Sequence, residues 1–421
     1  MLLHKALANF PLSSYLGDSF LTPRAMGRGG TQKHSVLDKN TPMRIALFSE
    51  TYLPQRNGVA IILERLVRHL CREGHEVLVA TASPGQQDTG VALPERCTLL
   101  PIPSVPLPRY PDLRLAAPLS RSLLRAVRQF KPDVIHVLTE YSLGLIGLRV
   151  AKSLGIRAVA SYHTNIPLLL RYYGVGWLAE PCWRYLRWFH SHAAFTYCPS
   201  ATTAERLRER GFRNVRVWSH GVEIDRFNPM HRSAEARERH GPTDTVHLLY
   251  VGRLTPEKDL PVLFDAYRQV VAADPLRPVH LTLAGDGAYA PSTEAKAPPG
   301  VTFAGYLEGR ALTRAYASAD VFVFPSRVET QGNVVLEALA SGLPVVGAAE
   351  GGVLENVHHD VNGLLCVPGD PQSFAAGILK LVQQPQLRAE LGRNARAWAE
   401  GRAWDLTLAP LVAGYKEAMD G

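Results

Sequence analysis

Two glutamates separated by seven residues, Glu329 and Glu337, are well suited by type and spacing to bind hydroxyl groups. Glu329 lies in a polar stretch, and Glu337 lies in a segment whose apolar residues recur with helical spacing. Carboxylates that face a crevice can accept hydrogen bonds from several hydroxyls, which is the chemistry that holds a sugar and a ribose. Two solvated surface charges are the alternative explanation of the bare spacing. The surrounding elements distinguish the two explanations.

The pair lies at a strand–turn–helix junction. Residues 321–324 are apolar and predict a buried parallel strand. Residues 327–333 form a polar turn in which Gly332 allows a backbone to approach a ligand, and residues 334–340 predict a helix. Open α/β sheets bind ligands at the carboxyl ends of strands, where backbone N–H groups and the positive helix end face an anion. This context favours a binding site.

The segment from Glu329 to Glu337 resembles the E-x7-E signature of the retaining glycosyltransferases of family 4, which have the GT-B fold and use nucleotide-activated sugars. The resemblance extends over about residues 43–421. It implies that Glu329 holds the hydroxyls of the donor sugar and that Glu337 holds the ribose. The resemblance also implies that four residues of the turn bind substrate: Thr330, Gln331, Gly332 and Asn333.

Two cations are placed to bind a diphosphate. Arg253 and Lys258 flank a turn between a predicted strand, residues 246–251, and a predicted helix. Cations beside a helix N-terminus can hold a diphosphate, and the G-R-x-x-x-E-K arrangement matches the diphosphate-binding residues of the family. Gly285 closes the next strand, and in related enzymes the backbone around Tyr306 frames the base.

The N-terminal half contributes further candidates. Asn57 and Gly58 lie in the first predicted βα loop, where a glycine can approach a phosphate, and this loop resembles the N-terminal glycine loop of the family. His163 ends the fourth predicted strand, and the matching histidine of related enzymes lies beside the donor sugar. We therefore predict His163, Arg253, Lys258 and Glu329 as catalytic residues.

Strands alternate with helices from Met43 onward, which predicts two Rossmann-like, doubly wound parallel sheets facing across a cleft. We expect a disordered extension over residues 1–42. The resemblance implies an acceptor-binding domain over 43–220, a nucleotide-sugar-binding domain over 221–402 and, as in similar GT-B enzymes, a helix over 403–421 that returns to the first domain. Within the first domain, we expect a proline-rich crossing from Pro94 to Pro111 and then a helix over residues 112–130.

Charge and cysteine content limit the partners. The chain of 421 residues has a formal net charge of +8, which indicates an anionic partner such as a nucleoside diphosphate or an anionic membrane. No RNA-reading motif accompanies this charge, so we expect no nucleic acid as a partner.

The five cysteines are scattered without metal-ligand spacing, which favours a reducing cytoplasm and no metal site. We therefore expect no cofactor, with cations and helix dipoles stabilising the leaving diphosphate. No apolar run is long enough for a transmembrane helix.

Residues 171–192 are unusually aromatic and basic. Tryptophan and tyrosine favour membrane interfaces, and arginines are attracted to anionic head groups. The segment therefore predicts peripheral contact with the inner face of the plasma membrane. An amphipathic helix that buries its aromatic residues against the sheet is the alternative.

The resemblance implies retaining transfer of a hexose, with mannose favoured, from a nucleoside-diphosphate sugar to a membrane glycolipid or another cell-envelope acceptor. The subgroup that fits is that of the GDP-mannose-dependent α-mannosyltransferases and sulfoquinovosyl-lipid synthases, except at Gln331, which leaves the donor sugar open. The alternatives are a UDP-sugar-dependent lipid glucosyl or sulfoquinovosyl transferase and, from another class, a nucleotide-sugar 2-epimerase. A dinucleotide-dependent oxidoreductase is disfavoured because no G-x-G-x-x-G follows the first strand.

Overall fold

The structure, a computed structural model, describes residues 41–55, 57–83, 92–107, 110–117, 120–238, 244–273, 277–287 and 289–420. The extension predicted over residues 1–42 lies outside these ranges up to residue 40. The described residues form two sheets flanked by helices, so the predicted fold class is confirmed.

The first sheet has eight strands in the order β4-β3-β2-β1-β5-β6-β7-β8. Neighbouring strands are parallel except for the antiparallel pair β3 and β4. The strand order reverses between β1 and β5, and such a switch point opens a crevice at the carboxyl ends of the two strands. The strands are β1 (Arg44–Ser49), β2 (Glu76–Ser83), β3 (Cys97–Leu107), β4 (Tyr110–Ala116), β5 (Val134–Val137), β6 (Ala158–Ser161), β7 (Thr196–Cys198) and β8 (Val215–Val217).

Helices cover both faces of this sheet and bury its apolar side chains in two separate cores. Several of these helices begin at a side chain that caps the first turn, as Ser120 does by accepting a hydrogen bond from the backbone of Leu123. The helices are α1 (Gly58–Arg72), α2 (Arg121–Phe130), α3 (Ser142–Leu154), α4 (Ile166–Tyr172), α5 (Ala179–His190) and α6 (Ala201–Glu209).

The second sheet has six parallel strands in the order β11-β10-β9-β12-β13-β14. Its switch point lies between β9 and β12, so the loops after these two strands border the second crevice. These loops carry the predicted cations and the predicted glutamate respectively. The strands are β9 (Val246–Val251), β10 (Val279–Ala284), β11 (Val301–Gly305), β12 (Val321–Phe324), β13 (Val345–Ala348) and β14 (Gly363–Cys366).

The apolar side chains between the second sheet and its helices form one continuous core. The helices are α7 (Ala234–Glu238), α8 (Leu260–Ala272), α9 (Ala290–Glu294), α10 (Gly309–Ser318), α11 (Asn333–Ala340), α12 (Val353–Asn356), α13 (Pro371–Gln383) and α14 (Pro385–Glu400). None of the helices in the described ranges is both long and apolar enough to cross a bilayer.

The last helix, α15 (Trp404–Asp420), packs against the first sheet rather than the second. Leu408 and Leu411 are fully buried in the same core as β1 and α1. The hydroxyl of Tyr415 lies 2.6 Å from Nδ1 of His136 on β5, and Glu417 pairs with Arg216 on β8. The predicted return of the last helix to the first domain is therefore confirmed. The domain boundaries at residues 220/221 and 402/403 stay predictions.

The prediction for residues 94–130 is wrong in part. The proline-rich crossing contains β3, and the expected helix over 112–130 is the strand β4 followed by the shorter helix α2. Prolines fit β3 because its N-terminal part, through Pro103, pairs only with β2, whereas β4 pairs from Ser104 onward. Arg114 fixes β4 there by donating to the hydroxyl of Ser104 at 3.0 Å and to its carbonyl at 2.8 Å.

We expect Leu411→Ala to lower the free energy of unfolding by about 2–4 kcal/mol, because it removes buried methyl groups from the core of the first domain and leaves a cavity. Leu406→Ala on the same helix is the control, since Leu406 is 61% exposed. Chemical denaturation followed by circular dichroism measures both variants. Equal effects of the two changes would contradict the packing of α15 described above.

Candidate active site

Lys258 and Glu329 form an ion pair across the second crevice. Lys258 follows β9, and Glu329 follows β12, so the pair joins the two loops at the switch point. Both side chains are largely buried, at 12% and 15% exposure. Ser326 donates to the same oxygen of Glu329, Oε1, at 3.0 Å. Among the described residues these contacts all fall on Oε1, which leaves Oε2 for other donors.

The loop after β9 is held by a buried carboxylate, Glu257. Its Oε1 accepts from Thr255 at 2.8 Å and pairs with Arg253 at 3.4 Å, while Oε2 accepts from the hydroxyl of Tyr173 at 3.2 Å. Arg253 is nonetheless 69% exposed, so its guanidinium can contact a ligand in the cleft. Glu257 thus positions the exposed cation Arg253 on the same turn that carries the buried cation Lys258.

Gly285 is required by close packing behind this loop. It follows β10 with a φ of +150°, and a side chain there would collide with the carbonyl of Gly252. The backbone N–H of Gly252 donates to Ala284 at 3.0 Å, which ties the two loops together. Gly285 therefore shapes the loop after β9, and its direct contact with substrate stays a prediction.

The turn from Thr330 to Asn333 joins the two domains. The hydroxyl of Thr330 donates to the backbone carbonyl of His163 at 2.8 Å. The side-chain oxygen of Asn333, the first residue of α11, lies 2.9 Å from Nδ1 of His220. Gly332 has a φ of +76°, a left-handed conformation that glycine adopts without strain, and it is the N-cap of α11.

Gln331 is 2% exposed, and both atoms of its side-chain amide lack a hydrogen-bond partner among the described residues. Buried amides are nearly always hydrogen-bonded in native proteins. Of the predicted donor-site residues, Gln331 and His163 carry buried polar side-chain atoms that are unpaired within the described structure.

Glu337 lies one helical turn into α11 and accepts a hydrogen bond from Tyr316 at 2.9 Å. Burial raises the pKa of Glu337 to about 7, and the hydrogen bond from Tyr316 opposes this rise. The carboxylate is therefore partly ionised near neutral pH and can accept hydrogen bonds from vicinal hydroxyls, as a ribose would require.

The first domain provides the facing surface. His163 follows β6 and is 8% exposed, and burial lowers its pKa well below the usual range, so its imidazole is neutral. Asn57 has a structural role, because its side-chain oxygen accepts from the backbone of Ala60 at 3.0 Å and caps α1. Gly58, the first residue of α1, has open space where a side chain would project. Contacts of Asn57 and Gly58 with substrate stay predictions.

Tyr306 follows β11 at the edge of the second sheet and is 59% exposed. An exposed ring beside the crevice can stack on a nucleotide base, which is compatible with its predicted place. The described residues include no group of three His, Cys, Asp or Glu side chains arranged to hold a metal ion.

The segment 171–192 is folded mainly as part of the first domain. Trp183, Leu186 and Phe189 on α5 are buried, which agrees with the expectation of an amphipathic helix packed on the sheet. Trp177 differs, since it lies on a short turn before α5 and is 59% exposed. Membrane contact therefore concerns this turn and stays a prediction.

Sequence reasoning assigned no role to several residues that build the site. Glu257 stands inside the G-R-x-x-x-E-K motif, so a signal was present for it. Tyr316, Trp218 and His220 contact site residues that are distant in sequence, and no local pattern marks such contacts.

Comparison with known proteins agrees with this fold. A model described as "Glycosyltransferase Family 4" matches residues 56–226, and one described as "Glycosyl transferases group 1" matches residues 245–384. The chain is 35% identical over 381 residues to the GDP-mannose-dependent alpha-mannosyltransferase of Mycobacterium tuberculosis, covering 90% of this chain and 97% of that protein. It is 34% identical to the sulfoquinovosyl transferase SQD2 of Arabidopsis thaliana, covering 86% of this chain and 71% of that protein.

Solved structures give the same fold. Sucrose-phosphate synthase from Thermosynechococcus elongatus superimposes with a TM-score of 0.73 at 22% identity, covering 89% of this chain and 98% of that one. Anabaena HepE in complex with UDP gives a TM-score of 0.69 at 21% identity, covering 88% and 99%. The protein belongs to the GT-B glycosyltransferases of group 1/family 4 and is an enzyme of glycosyl transfer. The alternative of a 2-epimerase gains no support.

We expect Glu337→Gln to make the protein less sensitive to pH. The folded state raises the pKa of Glu337 from 4.5 to about 7, so its contribution to stability is present below pH 4.5 and is lost as the pH rises through 7. Relative to wild type, the variant should therefore gain roughly 1–3 kcal/mol between pH 5 and pH 8. Thermal unfolding across this range measures the difference, with Glu209→Gln as an exposed control. A constant difference across the range would contradict the raised pKa.

Proposed function

We propose that the protein transfers a hexose, with mannose favoured, from a GDP-linked donor to a membrane glycolipid or another envelope glycan, with retention of configuration. The observation that carries this proposal is the buried Lys258–Glu329 pair, which places a cation and a hydroxyl-binding carboxylate next to each other at a switch point. The name of the mycobacterial relative, a GDP-mannose-dependent alpha-mannosyltransferase, supports the donor.

The residues of the site divide the donor between them. Arg253 and Lys258 bind the diphosphate, the free oxygen of Glu329 accepts from sugar hydroxyls, and Glu337 accepts from the ribose. Lys258 and Glu329 neutralise each other without a ligand, which stabilises two buried charges that would otherwise be costly. When the donor binds, phosphate and hydroxyl groups take over as partners for the same two side chains.

Transfer then requires stabilisation of the leaving group. The acceptor oxygen bonds to the anomeric carbon as the bond from that carbon to the diphosphate breaks, and the acceptor proton passes to the departing phosphate oxygen. Charge grows on the diphosphate during this step, and preorganised cations stabilise that charge. Because Arg253 and Lys258 supply positive charge from the protein, we propose that no metal is required.

We further propose that the turn at Trp177 contacts an anionic membrane on its cytoplasmic side. Trp177 projects into solvent, and Arg171 and Arg184 of the same segment are exposed. An indole at the headgroup level together with basic side chains is an arrangement that favours such a surface. The five free thiols are compatible with a reducing compartment.

A second candidate is UDP-dependent lipid glycosylation. It is favoured by the similarity to SQD2 and by the alpha-monoglucosyldiacylglycerol synthase of Streptococcus pneumoniae, which is 32% identical over 317 residues. Release of nucleoside diphosphate from a panel of GDP- and UDP-sugars, with and without extracted lipid and with EDTA present, distinguishes the candidates. Lipid-dependent release from GDP-mannose supports the first candidate, and release from UDP-sugars alone supports the second. Loss of all activity in EDTA would contradict a metal-independent reaction.

We expect Lys258→Ala and Glu329→Ala each to lower kcat by about 100-fold or more, because each removes a charge that acts on the transition state. Initial rates of nucleoside diphosphate release measure this, and Lys296→Ala, at an exposed position of the same domain, is the matched control. Circular dichroism verifies the fold of each variant. Activity that survives both changes would refute the assigned roles.

Trp177→Ala should weaken binding to vesicles that contain phosphatidylglycerol, because it removes the exposed indole. Met230→Ala, which removes an 88% exposed apolar side chain from the interdomain segment, is the control. Co-sedimentation measures both, and we expect a loss of several-fold for Trp177→Ala alone. Equal binding by the two variants and wild type would exclude this turn as the contact.

A further inference from the structure

Trp218 and His220 follow the last strand of the first sheet, where the chain passes to the second domain. Trp218 is 2% exposed and His220 is 3% exposed. The backbone N–H of Trp218 donates to Cys198 at 2.8 Å, so the segment is fixed to the sheet. Neither residue has a role in the functions described above.

Three aromatic rings meet at this point. The ring of His163 lies 5.6 Å from that of Trp218, nearly perpendicular to it, and 5.6 Å from that of His220. The rings of Trp218 and His220 are 6.0 Å apart. His163 is thus one member of a triangle, and the other two members come from the segment that follows β8 and leads to the second domain.

Four ring nitrogens of this triangle have no hydrogen-bond partner among the described residues: Nδ1 and Nε2 of His163, Nε1 of Trp218 and Nε2 of His220. A buried polar group without a partner is rare and unfavourable. Trp218 and His220 therefore share with His163 a buried ring nitrogen that no described residue satisfies, and such a group can be satisfied by a ligand.

The triangle is connected to the turn that carries Glu329. The backbone carbonyl of His163 accepts from Thr330, and Nδ1 of His220 contacts the side-chain oxygen of Asn333. Since that oxygen is an acceptor, Nδ1 of His220 carries the proton and Nε2 is an acceptor. The indole of Trp218 is a donor only. Trp218 and His220 therefore offer one N–H donor and one nitrogen acceptor, in addition to the two ring nitrogens of His163.

We propose that Trp218 and His220 extend the donor-sugar subsite, with the indole N–H donating to one sugar hydroxyl and Nε2 of His220 accepting from another. This inference rests on the proposed function, because the ligand is the sugar of a nucleotide sugar. A neutral donor and a neutral acceptor that are connected to the turn carrying Glu329 suit a polyhydroxylated, uncharged ring. The nucleotide itself contacts Arg253, Lys258 and Glu337, so its affinity does not depend on Trp218.

The test compares the affinity for a nucleotide sugar with that for the bare nucleotide. Isothermal titration calorimetry with GDP-mannose and GDP, and with UDP-glucose and UDP, gives the ratio for each pair. Trp218→Phe keeps an aromatic ring and removes only the N–H group, and His220→Ala removes the acceptor independently. Trp183→Phe, at a buried tryptophan of α5, is the matched control.

We expect Trp218→Phe and His220→Ala each to weaken nucleotide-sugar binding by roughly threefold to tenfold, with nucleotide binding within twofold of wild type. Trp183→Phe should change neither value. Variants that keep the wild-type ratio, or that weaken both ligands equally, would overturn the inference while leaving the proposed function intact. Wild-type protein that binds neither nucleotide sugar and releases no diphosphate would overturn both.

Discussion

The site depends on one electrostatic constraint: Lys258 and Glu329 are buried charges that must be paired. Each sits on a loop that follows one of the two strands at the switch point of the second sheet, so the sheet topology brings them together. Their charges match the two ends of the bond that breaks, a diphosphate and a sugar. The pair therefore holds the two loops together in the absence of a donor.

The second constraint is that the site is completed by the other domain. Thr330 binds the backbone of His163, Asn333 binds His220, and Tyr173 reaches the carboxylate of Glu257. These contacts all involve the two loops that hold the ion pair. Helix α15 follows the second domain in the chain and is buried in the core of the first, so it links the two domains a second time. The contacts between the domains and the order of these loops therefore depend on each other, and in the proposed reaction such a covered site would exclude water from an activated sugar.

The return of the last helix was implied by the family resemblance, whereas local patterns were sufficient for most of the strands and for the place of Glu329 and Lys258 at strand ends. They failed over residues 112–130, because an antiparallel pair fixed by Arg114 depends on a partner strand that helical periodicity does not reveal. The side-chain oxygen of Asn57 caps a helix, a role that its assignment to substrate did not include, and its contact with substrate stays a prediction. Trp218 and His220 were missed because their importance comes from distant partners and unsatisfied nitrogens, which are properties of packing.

The protonation states of the histidines bear on the choice of sugar. Burial lowers the pKa of His220 to about 4, with the contact to Asn333 opposing the shift, and burial also lowers the pKa of His163 well below its usual range. Both rings are neutral at pH 7, and the indole of Trp218 has no charge. In the proposed subsite these three side chains therefore supply hydrogen bonds without positive charge. A sulfonate-bearing sugar would need a cation to compensate its charge, whereas an uncharged hexose needs only donors and acceptors. The mycobacterial mannosyltransferase and SQD2 are almost equally similar to this chain in sequence. The absence of charge on His163, Trp218 and His220 is the physical reason for favouring mannose over sulfoquinovose in the proposal.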